Sequence, residues 1–205
     1  GFKQLQQGIR SILDADTRIP AVQKIGPHLY NFWRDAQHER GIWRRTTLDD
    51  YRKPSPPWDT VLDLDAINRA EGTAWVWKGV SCLRPDFKRC LVDLSPGGSD
   101  ASVTREFDID TRQWVPGGFE RPLAKGSLSW IDRDTVFVAT DFGDGSLTTS
   151  GYARIVKRWT RGTPLSSATE IMRGAATDVG VFGGVWQDTD GRRIPIAVQA
   201  TTFFE

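Results

Sequence analysis

The 205-residue chain is poor in cysteine and histidine, with two of each. So sparse a set excludes a disulfide-dense scaffold, and Cys82, Cys90, His28 and His38 show none of the paired CxxC-type spacing of a structural zinc site. No cofactor and no metal are expected. An excess of charge of one sign is also lacking, since 27 Lys+Arg face 26 Asp+Glu for a formal charge of +1. Neither nucleic acid nor a membrane is therefore an expected partner. No apolar run approaches the ~20 residues that cross a bilayer, and the N-terminus has no signal-peptide core. A soluble protein of the cytoplasm is expected, with the periplasm as the alternative, because two thiols fit either compartment.

What the chain does have is nine Trp and 20 Gly, with short apolar runs, which suits a mainly β protein. The exception is the opening segment, residues 1–20. In GFKQLQQGIRSILDADTRIP, Phe2, Leu5, Ile9, Ile12 and Leu13 recur at helical spacing, Gly8 is the weak point, and the pattern stops before Pro20. This spacing predicts one amphipathic helix, expected to pack over a sheet.

From about residue 21 short strands alternate with turns rich in Gly, Pro, Asp and Ser. TAWVWKGVSC, VFVAT and IPIAV are apolar on both faces, so each is expected to be covered on both, and Pro195 in the last suggests an edge position or a bulge. Three hairpins share one design: VSCLRPDFKRCLVDL, LSWIDRDTVFVATD and GVWQDTDGRRIPIAVQ, which align on Asp86, Asp134 and Asp190. The first two are each followed by another hairpin, TREFDIDTRQWV and RIVKRWTRGTPLSSATEI, and an irregular earlier copy runs through HLYNFWRDAQHERGIWRRTTLDD and WDTVLDLD. Four antiparallel strands per repeat of this length is the pattern of a β-propeller blade. Residues 21–205 are thus predicted to form an incomplete propeller of about three and a half blades. Such an arc leaves apolar blade faces bare, so either a homo-oligomer or a longer parent protein is expected.

Cys82 and Cys90 fall opposite each other across the turn centred on Asp86. Facing residues lie about 4.5–5.5 Å apart at Cβ, a little long for a disulfide. Two buried reduced thiols are the expected state, with a strained disulfide as the alternative.

Candidate catalytic constellations are weak. Asp108/Asp110, Asp132/Asp134 and Asp188/Asp190 sit in predicted turns, where Asp caps its own backbone. Trp43–Arg45 and Lys157–Trp159 interleave cation and aromatic, yet a balanced charge favours solvated strand faces with one buried Trp each. Gly143–Gly145 is followed by neither the Lys-Ser/Thr nor the helix of a phosphate loop. Ser99, Ser146 and Ser150 are read as turn formers.

The order HLYNFWRDAQHERGIWRR, VSCLRPDFKRCLVDLSPGGSDASVTREFDIDTRQWV and SLSWIDRDTVFVATDFGDGSLTTSGYARIVKRWTRGTPL resembles the N-terminal propeller of prolyl oligopeptidase-family serine peptidases. Its most distinctive pieces are Leu94–Asp100 with Glu106-Phe107-Asp108, which look like that family's second-blade hairpin, and TDFGDGSLTTSGYAR, which looks like its third-blade connection. The resemblance implies a seven-bladed propeller that caps an α/β-hydrolase domain and admits short peptides to a Ser-His-Asp triad. That domain is absent here. No G-x-S-x-G elbow occurs, Gly97–Ala101 having Ala where the last Gly belongs, and both histidines precede every plausible nucleophile. No catalytic, cofactor-binding or metal residue is assigned, and the chain alone is not expected to cleave peptides. Two other readings are a non-enzymatic propeller that binds a protein partner and a carbohydrate-binding propeller. The one Trp-Asp dipeptide, Trp58-Asp59, and the absence of a recurring Gly-His weigh against the first, and the packing of Trp into sheet faces weighs against the second.

Overall fold

Short apolar runs between tight turns form antiparallel meanders in the computed structural model, which describes residues 1–13, 15, 19–202 and 204. The Cα framework divides into two units, Gly1–Trp77 and Lys78–Glu205. Asp14 and Asp16–Arg18 of the opening segment, and Phe203 and Glu205 of the closing one, lie outside the described residues.

In the first unit the opening helix, α1 (Phe2–Leu13), forms where the spacing predicts it. It does not pack over a sheet. None of its residues is buried, and Phe2, Leu5 and Ile12 are each about two-thirds exposed or more. A 3.6-residue apolar period encodes a face to be covered, but not what covers it. The four strands β1 (Gln23–Ile25), β2 (His28–Trp33), β3 (Ile42–Thr46) and β4 (Asp59–Asp63) form one sheet in chain order. Tyr30, Trp43 and Trp77 make its aromatic core, with ring centroids 4.8 Å apart for Tyr30–Trp43 and 5.7 Å for Trp43–Trp77. β1 precedes the predicted first strand, and two helices were not predicted: α2 (Leu48–Tyr51) and α3 (Leu64–Glu71). The signals for α3 are local. The Asp63 carboxylate accepts the Ala66 N–H at 2.9 Å at its start, and Gly72 closes it in the left-handed region at φ 64°.

The second sheet runs β5 (Trp75–Cys82), β6 (Arg89–Pro96), β7 (Ser102–Asp108) and β8 (Gln113–Trp114). Its outer position is shared, because β9 (Glu120–Ala124) also pairs with β7. The third sheet runs β10 (Ser127–Trp130), β11 (Thr135–Ala139), β12 (Ile155–Thr160) and β13 (Thr169–Arg173), and β14 (Gly180–Gln187) pairs with β15 (Arg193–Ala200). All three aligned hairpins are therefore the opening strand pairs of successive sheets. The fold is the partial propeller of antiparallel blades that the repeat implies.

Coverage of the two-faced strands differs. Val136, Phe137, Val138 and Ala139 in β11 are all buried, as both-face apolarity requires. β5 is largely half-buried, and in β15 Ile196 and Val198 remain 41% exposed. β15 pairs with β14 alone among the described residues, so Pro195 sits on an edge strand and the far face of that pair is uncovered.

Within the second unit, sheets pack face to face through two apolar layers. Leu83, Leu91 and Phe119 meet Leu128, Trp130, Val136, Val138 and Trp159 between the second and third sheets. Phe137, Ala139, Ala153 and Val156 meet Val181 beyond the third. Each fully buried Leu, Val or Phe in such a layer stabilises by about 1.5–3 kcal/mol before entropy is counted. At Gly183 a Cβ would lie 2.4 Å from the Phe137 ring, so glycine is what lets β14 approach β11 so closely.

A buried ion pair crosses the first layer. Glu106, on β7, has a side chain only 1% exposed, and Arg161, just after β12, clasps it through Nη1–Oε2 at 2.8 Å and Nη2–Oε1 at 3.1 Å. The same carboxylate accepts the Phe119 N–H at 2.8 Å, and the guanidinium lies 4.5 Å over the Phe119 ring. Its remaining donors reach the Arg133 carbonyl. Removing one partner of a buried pair strands the other charge, at a cost of about 3–5 kcal/mol. Arg161→Ala is expected to lower the urea unfolding free energy by that amount. Adding Glu106→Gln to it should restore part of the loss, because an amide replaces the stranded carboxylate. Purely additive losses in the double variant would show that charge burial is not the cause.

Candidate functional site

The repeat places equivalent residues of successive hairpins around one space. Ser81, Ser129 and Val185 lie at the same offset before the aligned aspartates, and all three line a cavity of about 230 Å³ with Cys82, Trp130, Gly184 and Gln187. The cavity is thus walled by the first strands β5, β10 and β14 of three successive sheets. In a propeller the blades surround a central channel, and strands that share a space in this way form its wall. The wall is braced by Trp130, whose Nε1–H donates to the Ser81 carbonyl at 2.9 Å. Arg84, from the turn after β5, and Arg193, the first residue of β15, complete the lining.

Cys82, on this wall, is joined to Cys90 by a disulfide, and the Cα atoms are 3.9 Å apart. The expectation of two reduced thiols is overturned. The reason lies in the ladder. The Leu83 N–H donates to the Arg89 carbonyl at 2.8 Å, which makes the next pair outward, Cys82 and Cys90, a non-hydrogen-bonded pair. Facing residues come closest at such positions, whereas the range used for the expectation spans both pair types.

The remaining candidates serve the fold. Asp108 accepts the Thr111 N–H at 2.9 Å, Asp132 the Asp134 N–H at 2.8 Å, and Asp188 the Asp190 and Arg192 N–H groups at 3.1 and 2.7 Å. The first Asp of each pair thus forms the predicted side-chain turn, whereas Asp110 pairs with Lys88 at 2.8 Å and Asp134 lies 3.4 Å from Arg161 Nε. Ser146, 2% exposed, accepts the Phe142 N–H at 2.9 Å in the Asp141–Ser146 loop. Ser99 donates to the Ala101 carbonyl at 3.2 Å, and Ser150 lies 3.1 Å from the Thr148 hydroxyl. His38 pairs with Asp35 at 2.9 Å, and His28 packs edge-on to Tyr30. Burial first, then the nearby Arg45 cation, lowers the pKa of His28. Trp43 and Trp159 are each buried, as predicted for the two cation–aromatic runs. Arg44 departs from a solvated role, since its guanidinium lies between the Trp33 and Trp58 rings at 4.2 and 4.3 Å. Among the described residues no three His, Cys, Asp or Glu gather as a metal would require.

A second buried network sits on β7 and β9. Arg121, fully buried, donates to Ser102 Oγ at 2.8 Å and Thr104 Oγ1 at 3.1 Å, with Asp93 3.7 Å away. Burial pushes the Asp93 carboxyl above its usual range, and the Arg121 cation and the Thr104 hydroxyl only partly offset that. This network fixes a strand pair and is remote from any nucleophile–base arrangement.

Residues 3–203 match the family described as prolyl oligopeptidase, N-terminal beta-propeller domain. The chain belongs to that family. It is 43% identical over 195 residues to an uncharacterized peptidase of Sinorhizobium fredii, covering 94% of this chain and 27% of the relative. An uncharacterized peptidase of Rickettsia prowazekii is 30% identical over 83% of this chain and 25% of its own length. Among solved structures, a post-proline cleaving enzyme from Rickettsia typhi superposes with TM-score 0.92 at 26% identity, over 99% of this chain and 31% of that one. Oligopeptidase B from Leishmania major, at 15% identity and TM-score 0.66 over 95% of this chain and 26% of that one, shares the fold. The chain spans about a quarter of the length of the curated relatives it matches. No described helix is long and apolar enough to cross a membrane.

In this prolyl oligopeptidase propeller the turn aspartates predict an acid response. Burial raises Asp108 and Asp132, but it is outweighed. For Asp108 the Thr111 N–H and the Arg89 cation favour the charged form, and for Asp132 the Thr135 hydroxyl and the Asp134 N–H do. Both end below the ordinary value of 3.8. Their contribution is fully present above that value and is lost as pH falls through the lowered native values. Urea unfolding between pH 6 and pH 2.5 should therefore show a shallower acid loss in the Asp108→Asn/Asp132→Asn variant than in the parent. Equal slopes would show that these turns do not carry the response.

Proposed function

We propose that this chain is the access-controlling propeller of a serine peptidase of the prolyl oligopeptidase type. Residues 1–20 form its helical lead and residues 21–205 about three and a half of its blades, the catalytic α/β-hydrolase domain being encoded outside them. The observation that carries the reading is the wall itself: first strands of successive sheets face one narrow space that holds no nucleophile paired with a base. Such a wall can select by size and surface chemistry but cannot cut. Each four-stranded meander returns the chain to the face at which it began, so a domain attached by flanking chain sits over one face of the ring. The uncovered apolar stripe of α1 is of the kind such a domain covers.

Chemistry in this reading is acyl transfer by a Ser-His-Asp triad with an oxyanion hole, acting on short or unfolded peptides after Pro or a related residue. The post-proline cleaving relative supports that bond preference. The Cys82–Cys90 disulfide supports an oxidising compartment over the cytoplasm.

The test is the native gene product, detected with an antibody to this chain and labelled with a serine-hydrolase activity probe on the same gel. A labelled band several times larger than 23.0 kDa, whose activity cleaves short Pro-containing peptides but spares the same sequence within a folded protein, is expected. An unlabelled band near 23.0 kDa would contradict the reading.

A further inference from the structure

The cavity walled by β5, β10 and β14 is lined by two arginines, Arg84 and Arg193, and by no carboxylate. Arg84 is held by the ring of Phe87, 5.3 Å from its guanidinium, in the turn where Phe87 takes a left-handed φ of 56°. Neither arginine has a carboxylate partner within ion-pair distance among the described residues. Arg193 is near enough to Asp132 to help hold that carboxyl low, but the two do not come within ion-pair distance. Other donors of the wall are spoken for. The Trp130 Nε1–H goes to the Ser81 carbonyl, and the Gln187 amide reaches the Gly191 carbonyl at 3.4 Å. What faces the space is therefore two cationic forks with no carboxylate in direct contact, beside serine hydroxyls and an indole face.

Four other arginines of the second unit have carboxylate partners, and Arg154 donates to the Gly145 and Gly174 carbonyls instead. Arg89 pairs with Asp108, Arg121 with Asp93, Arg161 with Glu106 and Arg173 with Glu170. What distinguishes Arg84 and Arg193 is that both line one cavity that no carboxylate lines, which makes it a site for an external anion. A cleft lined by one sign of charge focuses such a field, and the guanidinium fork fits a carboxylate in bidentate geometry.

From this placement we infer that the wall is a charge filter, one that favours peptide segments carrying carboxylates over segments carrying ammonium or guanidinium groups. The inference rests on the access-controlling role proposed above and adds a substrate class to it. The carboxylate has two sources in a peptide, an Asp or Glu side chain and the free C-terminus.

The experiment uses the full gene product and a set of fluorescent Pro-containing peptides that differ only in flanking Glu, Gln or Lys, each as free acid and as amide. Cleavage efficiency, kcat/KM, is measured at low and at high salt, and binding is followed separately by fluorescence anisotropy. The expected result is a Glu over Lys preference of about ten-fold at low salt, shrinking at high salt, as electrostatic guidance does. Arg84→Glu/Arg193→Glu should invert the preference, and Arg84→Gln/Arg193→Gln, which keeps polarity and size, should bring it near unity with cleavage of the Gln peptide retained. A preference that follows the free acid over the amide, whatever the flank, assigns the C-terminal carboxylate; one that follows Glu assigns the side chain. Equal efficiencies for Glu and Lys, or a preference untouched by both double variants, would overturn the filter while leaving the peptidase reading intact. If no peptide is cleaved, the peptidase reading fails, and anisotropy decides the filter alone: tighter binding of Glu peptides that both double variants abolish supports it, and equal binding overturns it.

Discussion

The buried Glu106–Arg161 pair is the contact on which the arrangement of the second and third sheets depends. Apolar layers between sheets are non-directional and would tolerate sliding, since Leu91 against Val136 is worth about as much a fraction of a residue away. A bidentate ion pair is not tolerant in this way. It fixes the Phe119 backbone, the Arg133 carbonyl and the ends of β7 and β12 at one mutual position. Burying a carboxylate so fully is costly unless every acceptor is met, and here the guanidinium and the Phe119 N–H meet them. The Trp130–Ser81 bond extends the same fixation to the first strands, and so to the cavity they enclose.

Much of this was legible in the sequence. The period-two apolar pattern with Asp-bearing turns located the aligned hairpins, because a turn residue that caps its own backbone is a local property of a few positions. The same alignment held the site as well, since Ser81, Ser129 and Val185 share one offset from Asp86, Asp134 and Asp190. What it did not reveal is that equivalent residues of different sheets would face one space, because that depends on packing between sheets. Arg84 and Arg193 were missed for the same reason. An arginine in a turn or at a strand end reads as solvated until the fold shows which space it lines.

Other failures were also physical. α3 is too short for a convincing 3.6-residue period, and its signals, the Asp63 cap and Gly72, were passed over amid strand-like neighbours. The Cys82–Cys90 bond turned on whether the pair sits at a wide or narrow rung of the ladder, which one backbone hydrogen bond decides. Arg44 between two indoles depends on the Pro-rich loop bringing Trp58 back against β3, a tertiary event without a local signature. Glu106 stood out only through resemblance, although its carboxylate is almost wholly buried.

If the ion pair makes the second and third sheets one cooperative body, native-state hydrogen exchange of Arg161→Lys against the parent chain will show it. Lysine keeps the charge and loses the fork. Amides of β7 (102–108) and β12 (155–160) should lose protection together and by a similar factor, because both sheets open in one step. Loss confined to the turns at 131–134 and 161–164, with β7 unchanged, would contradict it.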